Sequence, residues 1–315
     1  MKSFALFFVF LFSMQAHAVE YAESKVDMQL KQITQDIYYV EGIPGIATEN
    51  EGFISNAGFV ITGEGVVIFD ALGTPSLAKN LVKLIKTVTD QPITQIFLSH
   101  YHADHIYGLQ VFKAEGVKIY APDGALDYLE SDIALERLEE RQFSLFPWVN
   151  EQTQLVYPDE IIKTSAMFQV GTKTLTISYQ GKAHSDGDLV MLVEPDLVLF
   201  SGDIIFRSRI PFIGNGDTGH WLETLEKLET TGLKALVPGH GPATFEPSER
   251  ISLTREYLAF IREAMREGVS ELMSFDEIYS DTDWSRFEHL PAFEAGNRIN
   301  AYQVFLSMEQ ELLAQ

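Results

Sequence analysis

Two hydrophobic periods run through the chain. Short apolar runs predict strands at Phe59–Ile61, Val66–Phe69, Ile93–Leu98 and Val117–Ala121. Residues 37–41 predict an earlier strand, followed by a Gly-rich stretch, Gly42–Gly52, that reads as a mobile loop. Thr62-Gly63-Glu64-Gly65 is a hairpin signal between two of these runs. A helical period then takes over. Thr74 is placed to cap a helix with Pro75 at its first position, and Leu77, Leu81, Leu84, Ile85 and Val88 share one face. A charge-rich helical stretch follows from about Asp123 to Phe146.

The second half repeats the theme. Leu175, Ile177 and Tyr179 alternate on a strand, and Leu189–Val193, Leu197–Phe200 and Ala235–Val237 are further strands. Trp221, Leu222, Leu225 and Leu228 mark a helix. From Pro247 onward the pattern is helical, with Tyr257, Ile261 and Met265 spaced by four. Strands alternate with helices in both halves, which predicts an α/β protein with helices layered over its sheets. Residues 19–246 are read as the catalytic domain and 247–315 as a helical extension packed on it, because composition does not break between them.

The N-terminus adds a compartment. Lys2, the apolar run from Phe4 to Phe12 and Ala16-His17-Ala18 form the basic start, apolar centre and small-residue cleavage site of an export signal over residues 1–18. The expected location is periplasmic or secreted, with no membrane attachment after cleavage.

Charge and cysteine usage narrow the chemistry. Asp and Glu number 45 against 23 Lys and Arg, for a net charge of −22. Nucleic acid is therefore not an expected partner, since phosphate binding needs clustered cations. The absence of cysteine excludes disulfides, thiolate-held zinc, iron–sulfur clusters and thiol catalysis.

The histidines carry the candidate chemistry. His100-Tyr101-His102-Ala103-Asp104-His105 stands at the C-terminal end of an apolar strand, where open α/β sheets place ligands. His184, Asp203 and His240 each follow another strand in a Gly-containing turn. Imidazole and carboxylate without thiolate suit Zn²⁺, and also Fe or Mn.

H-x-H-x-D-H, a lone His, an Asp after a strand and a His in a G-H-G turn together resemble the metallo-β-lactamase superfamily, over roughly residues 30–245. The resemblance implies an αββα sandwich with two Zn²⁺ per chain at one edge. His100, His102 and His184 would hold the first metal; Asp104, His105 and His240 the second; Asp203 would bridge them. It implies a hydrolase in which a metal-bridging hydroxide, oriented by Asp104, cleaves an ester, thioester, lactone or amide of a small-molecule substrate. Some zinc β-lactamases carry Cys where this chain has Asp203, which resembles glyoxalase II and the lactonases instead. β-Lactam hydrolysis is the alternative activity, and iron-dependent sulfur or oxygen redox chemistry a more distant one. The segments His102–Gly108, Ala183–Asp188, Arg209–Gly214 and Asn297–Tyr302 also resemble exported metallohydrolases of quinoprotein-relay and sulfur-oxidation systems. Such a system, or a periplasmic dehydrogenase, is the partner that resemblance implies, and a homodimer remains open.

Several roles have two readings. Asp70 resembles the family's supporting Asp beneath the His-rich loop, or is an exposed strand-end acid. Arg207 and Arg209 bind a substrate carboxylate or phosphate, or pair with surface acids. His220 donates to the reaction intermediate, or caps its helix. Trp148, with Phe143 and Phe146, lines the substrate pocket, or belongs to the core.

Overall fold

The computed structural model describes residues 21–228, 230–247 and 251–314. The expected export signal, residues 1–18, lies outside them. Two sheets form the centre. The first runs β1 (Leu30–Gln32), β2 (Ile37–Val40), β3 (Ala57–Ile61), β4 (Val66–Phe69), β5 (Ile93–Phe97), β6 (Lys118–Pro122) and β7 (Glu160–Ile162), paired in that order. It is antiparallel from β1 to β4 and parallel from β4 to β7. The second is ordered β12 (Ala235–His240), β11 (Val198–Phe206), β10 (Leu189–Glu194), β9 (Lys173–Tyr179), β8 (Ala166–Val170), antiparallel except for the β11–β12 pair.

Strand periodicity explains the layering. Along β4, Val67 and Phe69 point into the same cluster as Met191, Val193 and Phe200 of the other sheet. Val66 and Ile68, one residue out of phase, meet the first helical layer. On the second sheet, Val190, Leu199 and Leu236 turn outward to the second helical layer. Successive side chains on a strand alternate faces, so continuous apolar strands buried on both sides give a sandwich covered by helices.

The first helical layer contains α1 (Pro75–Ile85), α2 (Ala103–Ile106), α3 (Leu109–Lys113), α4 (Ala125–Leu129) and α5 (Asp132–Ser144). The Thr74 hydroxyl accepts from Leu77 N at 3.2 Å, with Pro75 next, as the capping pattern predicts. Leu77, Leu81 and Ile85 are fully buried, each contributing about 1.5–3 kcal/mol over an exposed position. Val88 departs from the expected face and is exposed, because α1 ends three residues before it. The stretch expected to be one helix from 123 to 146 is two, broken where Ser131 caps α5.

The second layer contains α6 (Thr218–Lys227), α7 (Ser252–Ser270), α8 (Phe275–Asp281) and α9 (Phe293–Leu313). Tyr257, Ile261 and Met265 are fully buried against the second sheet, so the C-terminal extension shares that sheet's core. No helix among the described residues is long and apolar enough to cross a membrane.

Candidate metal centre

Loops and strand ends from both sheets meet at one rim of the sandwich. The first sheet supplies residues 100–105, in the turn after β5 and the start of α2. The second supplies His184 between β9 and β10, Asp203 within β11 and His240 at the end of β12. The expected strand ends were too early: β11 continues through Asp203 to Phe206, and β12 includes His240. Irregular pairing on either side of Gly202 lets β11 continue past the point where the apolar run stops. A hydrogen bond from Leu189 N to Ser99 O, 2.8 Å, ties the two sheets together beside the site.

Seven side chains converge as two sets. His100, His102, His184 and Asp203 offer ligand atoms mutually within 4.8 Å, and Asp104, His105 and His240 do the same. In the first set, His102 Nδ1 lies 3.0 Å from His100 Nε2 and 2.9 Å from His184 Nε2. In the second, Asp104 Oδ2 lies 3.3 Å from His240 Nε2 and 3.6 Å from His105 Nε2. Asp203 touches both: its Oδ2 is 3.2 Å from His184 Nε2 and 3.3 Å from His240 Nε2, and its Oδ1 is 3.2 Å from His105 Nε2. Gly239 makes room for it, since a Cβ there would fall 2.0 Å from Asp203 Oδ1.

The outward-facing ring nitrogens set the tautomers. His240 Nδ1 donates to the Ile54 carbonyl at 2.7 Å, which leaves an Nε2 lone pair facing inward. His105 Nδ1 donates to Asp70 Oδ2 at 2.9 Å. Ser99 Oγ donates to Asp70 Oδ2 at 2.8 Å and accepts from His100 Nδ1 at 2.8 Å. Asp70 Oδ1 also accepts from Ser99 N at 2.7 Å. One buried carboxylate therefore orients a ligand from each set, from a left-handed backbone position (φ 66°) that these bonds hold. Of the two readings of Asp70, the exposed strand-end acid is excluded: the residue is 2% exposed. Replacing Asp70 with alanine is expected to weaken metal affinity by about 10- to 100-fold. Competition titration against a chromogenic chelator checks this; unchanged affinity would contradict the role.

The electrostatics suit cations. Burial pushes His102 down to about 4 and His184 to about 3, and lowers His100 well below the ordinary range, so these rings are neutral. Burial also opposes charge on His105 and His240, but Asp203 and the neighbouring carboxylates outweigh it and raise both. Burial alone would raise Asp104 and Asp203; the surrounding imidazoles reverse this and hold both carboxyls below the usual carboxylate range. His105 Nε2 and Asp203 Oδ1 are buried without a hydrogen-bond partner. Inward-facing ring nitrogens, orientations fixed by hydrogen bonds on His100, His105 and His240, and an orphaned acceptor on Asp203 suit divalent metal ligation.

The remaining expected site residues separate. Arg209 is 7% exposed, donates Nε to the Ile210 carbonyl at 3.3 Å, and leaves Nη1 without a partner. Burial lowers its pKa, and the charges of nearby Asp104 and Asp203 offset this only in part. Arg207 Nη1 donates to the carbonyls of Pro242 and Ala243 in the His240 turn. His220 does not cap α6, because Asp217 does; its Nδ1 instead donates to the Lys182 carbonyl at 2.7 Å, bracing the His184 turn. Trp148 donates to the Glu23 carbonyl at 3.3 Å, on the N-terminal segment. Phe143 and Phe146, 89% and 69% exposed, are not core. Leu145 of that stretch does line a cavity of about 30 Å³ beside Asp104, with Tyr107, Arg141, Gly52 and Ile54. The Gly42–Gly52 segment is pinned there by Ile43 N to Phe53 O and by Asn56 Oδ1 accepting from Gly42 N.

Some supports had no clear signal. Asn56 Nδ2 donates at 2.8 Å to both the Pro238 and Gly241 carbonyls, clasping the His240 turn. Asp188, pushed up to about 7 by burial, accepts from Ala183 N and Ser185 N on either side of His184.

Comparison with known proteins agrees with this arrangement. The family model described as Metallo-beta-lactamase superfamily matches residues 50–240. Metallo-beta-lactamase IND-1 of Chryseobacterium indologenes is 24% identical over 65% of this chain and 77% of its own. A linear primary-alkylsulfatase of Pseudomonas sp. is 22% identical over 68% of this chain, which spans about half (47%) of that longer protein. Among solved structures, a metallo-beta-lactamase from Pontibacter korlensis superposes with a TM-score of 0.58, at 20% identity, over 74% of this chain and 99% of its own. The sec-alkylsulfatase Pisa1 from Pseudomonas sp. superposes with a TM-score of 0.67, at 19% identity, over 88% of this chain and 50% of its own. A two-sheet sandwich with helices outside, two His/Asp clusters on one rim and a family match over most of the chain lead to one assignment: the protein belongs to the metallo-β-lactamase superfamily.

Proposed function

We propose that the protein is an exported dinuclear zinc hydrolase that cleaves an ester, thioester, lactone or amide of a small molecule. One observation carries the dinuclear reading: the Asp203 carboxylate lies within 3.3 Å of ligand nitrogens from both sets. Zinc bound there supplies Lewis acidity and hydroxide near neutral pH. His100, His102 and His184 with Asp203 would hold one ion, and Asp104, His105 and His240 with Asp203 the other. Asp104 is the most open of the carboxylates, with its side chain 21% exposed, so it can accept the hydrogen bond that orients the attacking water. Arg209 would receive a substrate oxyanion. Once Asp104 and Asp203 are committed to cations, its buried guanidinium lacks compensation, and its free Nη1 lacks an acceptor. A second reading, β-lactam hydrolysis, is supported by the relatives named metallo-beta-lactamases.

Two experiments test this. Metal analysis after chelator-free purification should give two zinc ions per chain; a value near one or zero overturns the dinuclear site. A panel of nitrocefin, homoserine lactone, thioester, neutral and carboxylated aryl esters, and alkyl sulfate should identify the bond cleaved. Arg209→Gln should lose about tenfold more activity on the carboxylated ester than on the neutral one. Equal losses would remove Arg209 from substrate recognition.

A further inference from the structure

The segment between β11 and α6 lies directly over the first ligand set. Phe212, 38% exposed, sets its ring edge-on to His102 with centroids 5.9 Å apart. Gly216 sits so close to the backbone behind His184 that a Cβ would fall 2.7 Å from the Ala183 carbonyl and 2.9 Å from that of His184. Arg209 begins the same segment.

What fixes this segment comes from the far end of the chain. Asn300, on α9 and fully buried, turns both ends of its amide to it: Oδ1 accepts from Ile213 N at 2.9 Å, and Nδ2 donates to the Pro211 carbonyl at 2.7 Å. Its Nδ2 also donates to Tyr257 Oη of α7 at 3.0 Å, and Tyr257 Oη donates to Asn297 Oδ1 at 2.8 Å. Asn297 Nδ2 reaches Tyr279 Oη of α8 at 3.1 Å. A second anchor is Ile210 N to the Pro291 carbonyl, 3.3 Å. Three helices of the extension thus converge, through one buried polar chain, on two backbone groups flanking Phe212. Burying two asparagines is costly unless every polar atom is satisfied, so a stretch that merely covered a sheet would use apolar residues here. The residues that hold the segment, Asn300, Tyr257, Asn297, Tyr279 and Pro291, lie beyond residue 240, where the family match ends.

We propose that Asn300 is a positioning residue for the substrate site: it holds residues 210–213 so that Phe212 and Arg209 form one wall of the pocket beside His102. The extension thereby sets specificity. This rests on the hydrolase reading for its kinetic consequences but not for its structural one.

The test uses the full-length, zinc-loaded protein with ¹³C-labelled histidine. Asn300→Asp keeps the acceptor for Ile213 and removes the donor to Pro211. It should move the His102 ring resonances in the same direction as Phe212→Ala, because both take the Phe212 ring current away. Met308→Ala, a buried cavity on the same helix, should leave them in place. If Asn300→Asp does not fold, Tyr257→Phe removes only the hydroxyl bracing Asn300 and should give a smaller shift of the same sign. On whichever substrate the wild type hydrolyses, Asn300→Asp should lower kcat/KM by about 10- to 100-fold, mostly through KM, with metal content retained. The proposal falls if His102 does not move, or if Met308→Ala moves it or KM as much. A protein that cleaves nothing but shows the His102 shift would sink the hydrolase reading and leave Asn300 in its role.

Discussion

Asp203→Ala should be the most damaging single change in the molecule. Removing partners that only orient ligands costs about 10- to 100-fold in metal affinity or activity, so losing a carboxylate shared by both ligand sets should exceed about 100-fold in activity. Metal content should drop by at least one ion per chain. The variant leaves His105, His184 and His240 without the charge they face at 3.2–3.3 Å. Asp203→Asn should not rescue it, because an amide keeps the shape but supplies neither the charge nor the second acceptor oxygen. Elemental analysis and turnover on the same preparations decide this; an alanine variant that keeps full metal and activity would remove Asp203 from the centre.

The second large effect concerns the metal-free protein. Stripping it with a chelator should lower the melting temperature by on the order of 10 °C, because tight ligands stabilise only the folded state. The five histidines alone would give what remains a stability maximum near pH 6.5, the ordinary histidine pKa, and Asp188, raised to about 7, should move it to lower pH because its contribution is lost as the pH rises toward that value. His100, His102 and His184 titrate lower in the fold than unfolded, so their contribution is complete above that pH and is lost as the pH falls. His105 and His240 titrate higher, so theirs is complete below it and is lost as the pH rises. Melting curves across pH 5–9, with and without chelator, test this. A metal-free protein whose stability climbs steadily with pH would contradict the charge assignment of the second set.

The candidate ligands were legible because they are residue types with few other reasons to gather at strand ends. His100, His102, Asp104 and His105 advertise themselves within six residues, and Asp203 and His240 follow apolar runs. The layered architecture was legible for a related reason, since doubly buried strands and amphipathic helices leave different periods. The supports were harder to see. His240 is oriented by the Ile54 carbonyl, and a main-chain acceptor has no spelling in the sequence. Asn56 and Asn300 look like ordinary polar residues until folding places them against backbone groups 182–185 and 87–89 residues away. The short strands β1, β7 and β8 went unannounced, because three to five residues with partly exposed faces carry too little alternation. The Gly42–Gly52 loop was legible from its glycines, but its anchors were not: Gly42 N donates to Asn56 Oδ1 and Ile43 N to the Phe53 carbonyl.

Each ligand set draws on both sheets. His100 and His102 come from the first, with His184 and Asp203 from the second; Asp104 and His105 come from the first, with His240 from the second. A bound cation in either set is therefore a cross-link between the two halves of the sandwich, in a chain with no cysteine to make one. The sheets cannot part while the ions stay. Unfolding of the loaded protein should then be timed by metal release, so that the chain's lifetime would be governed by the local free-metal concentration as much as by its core.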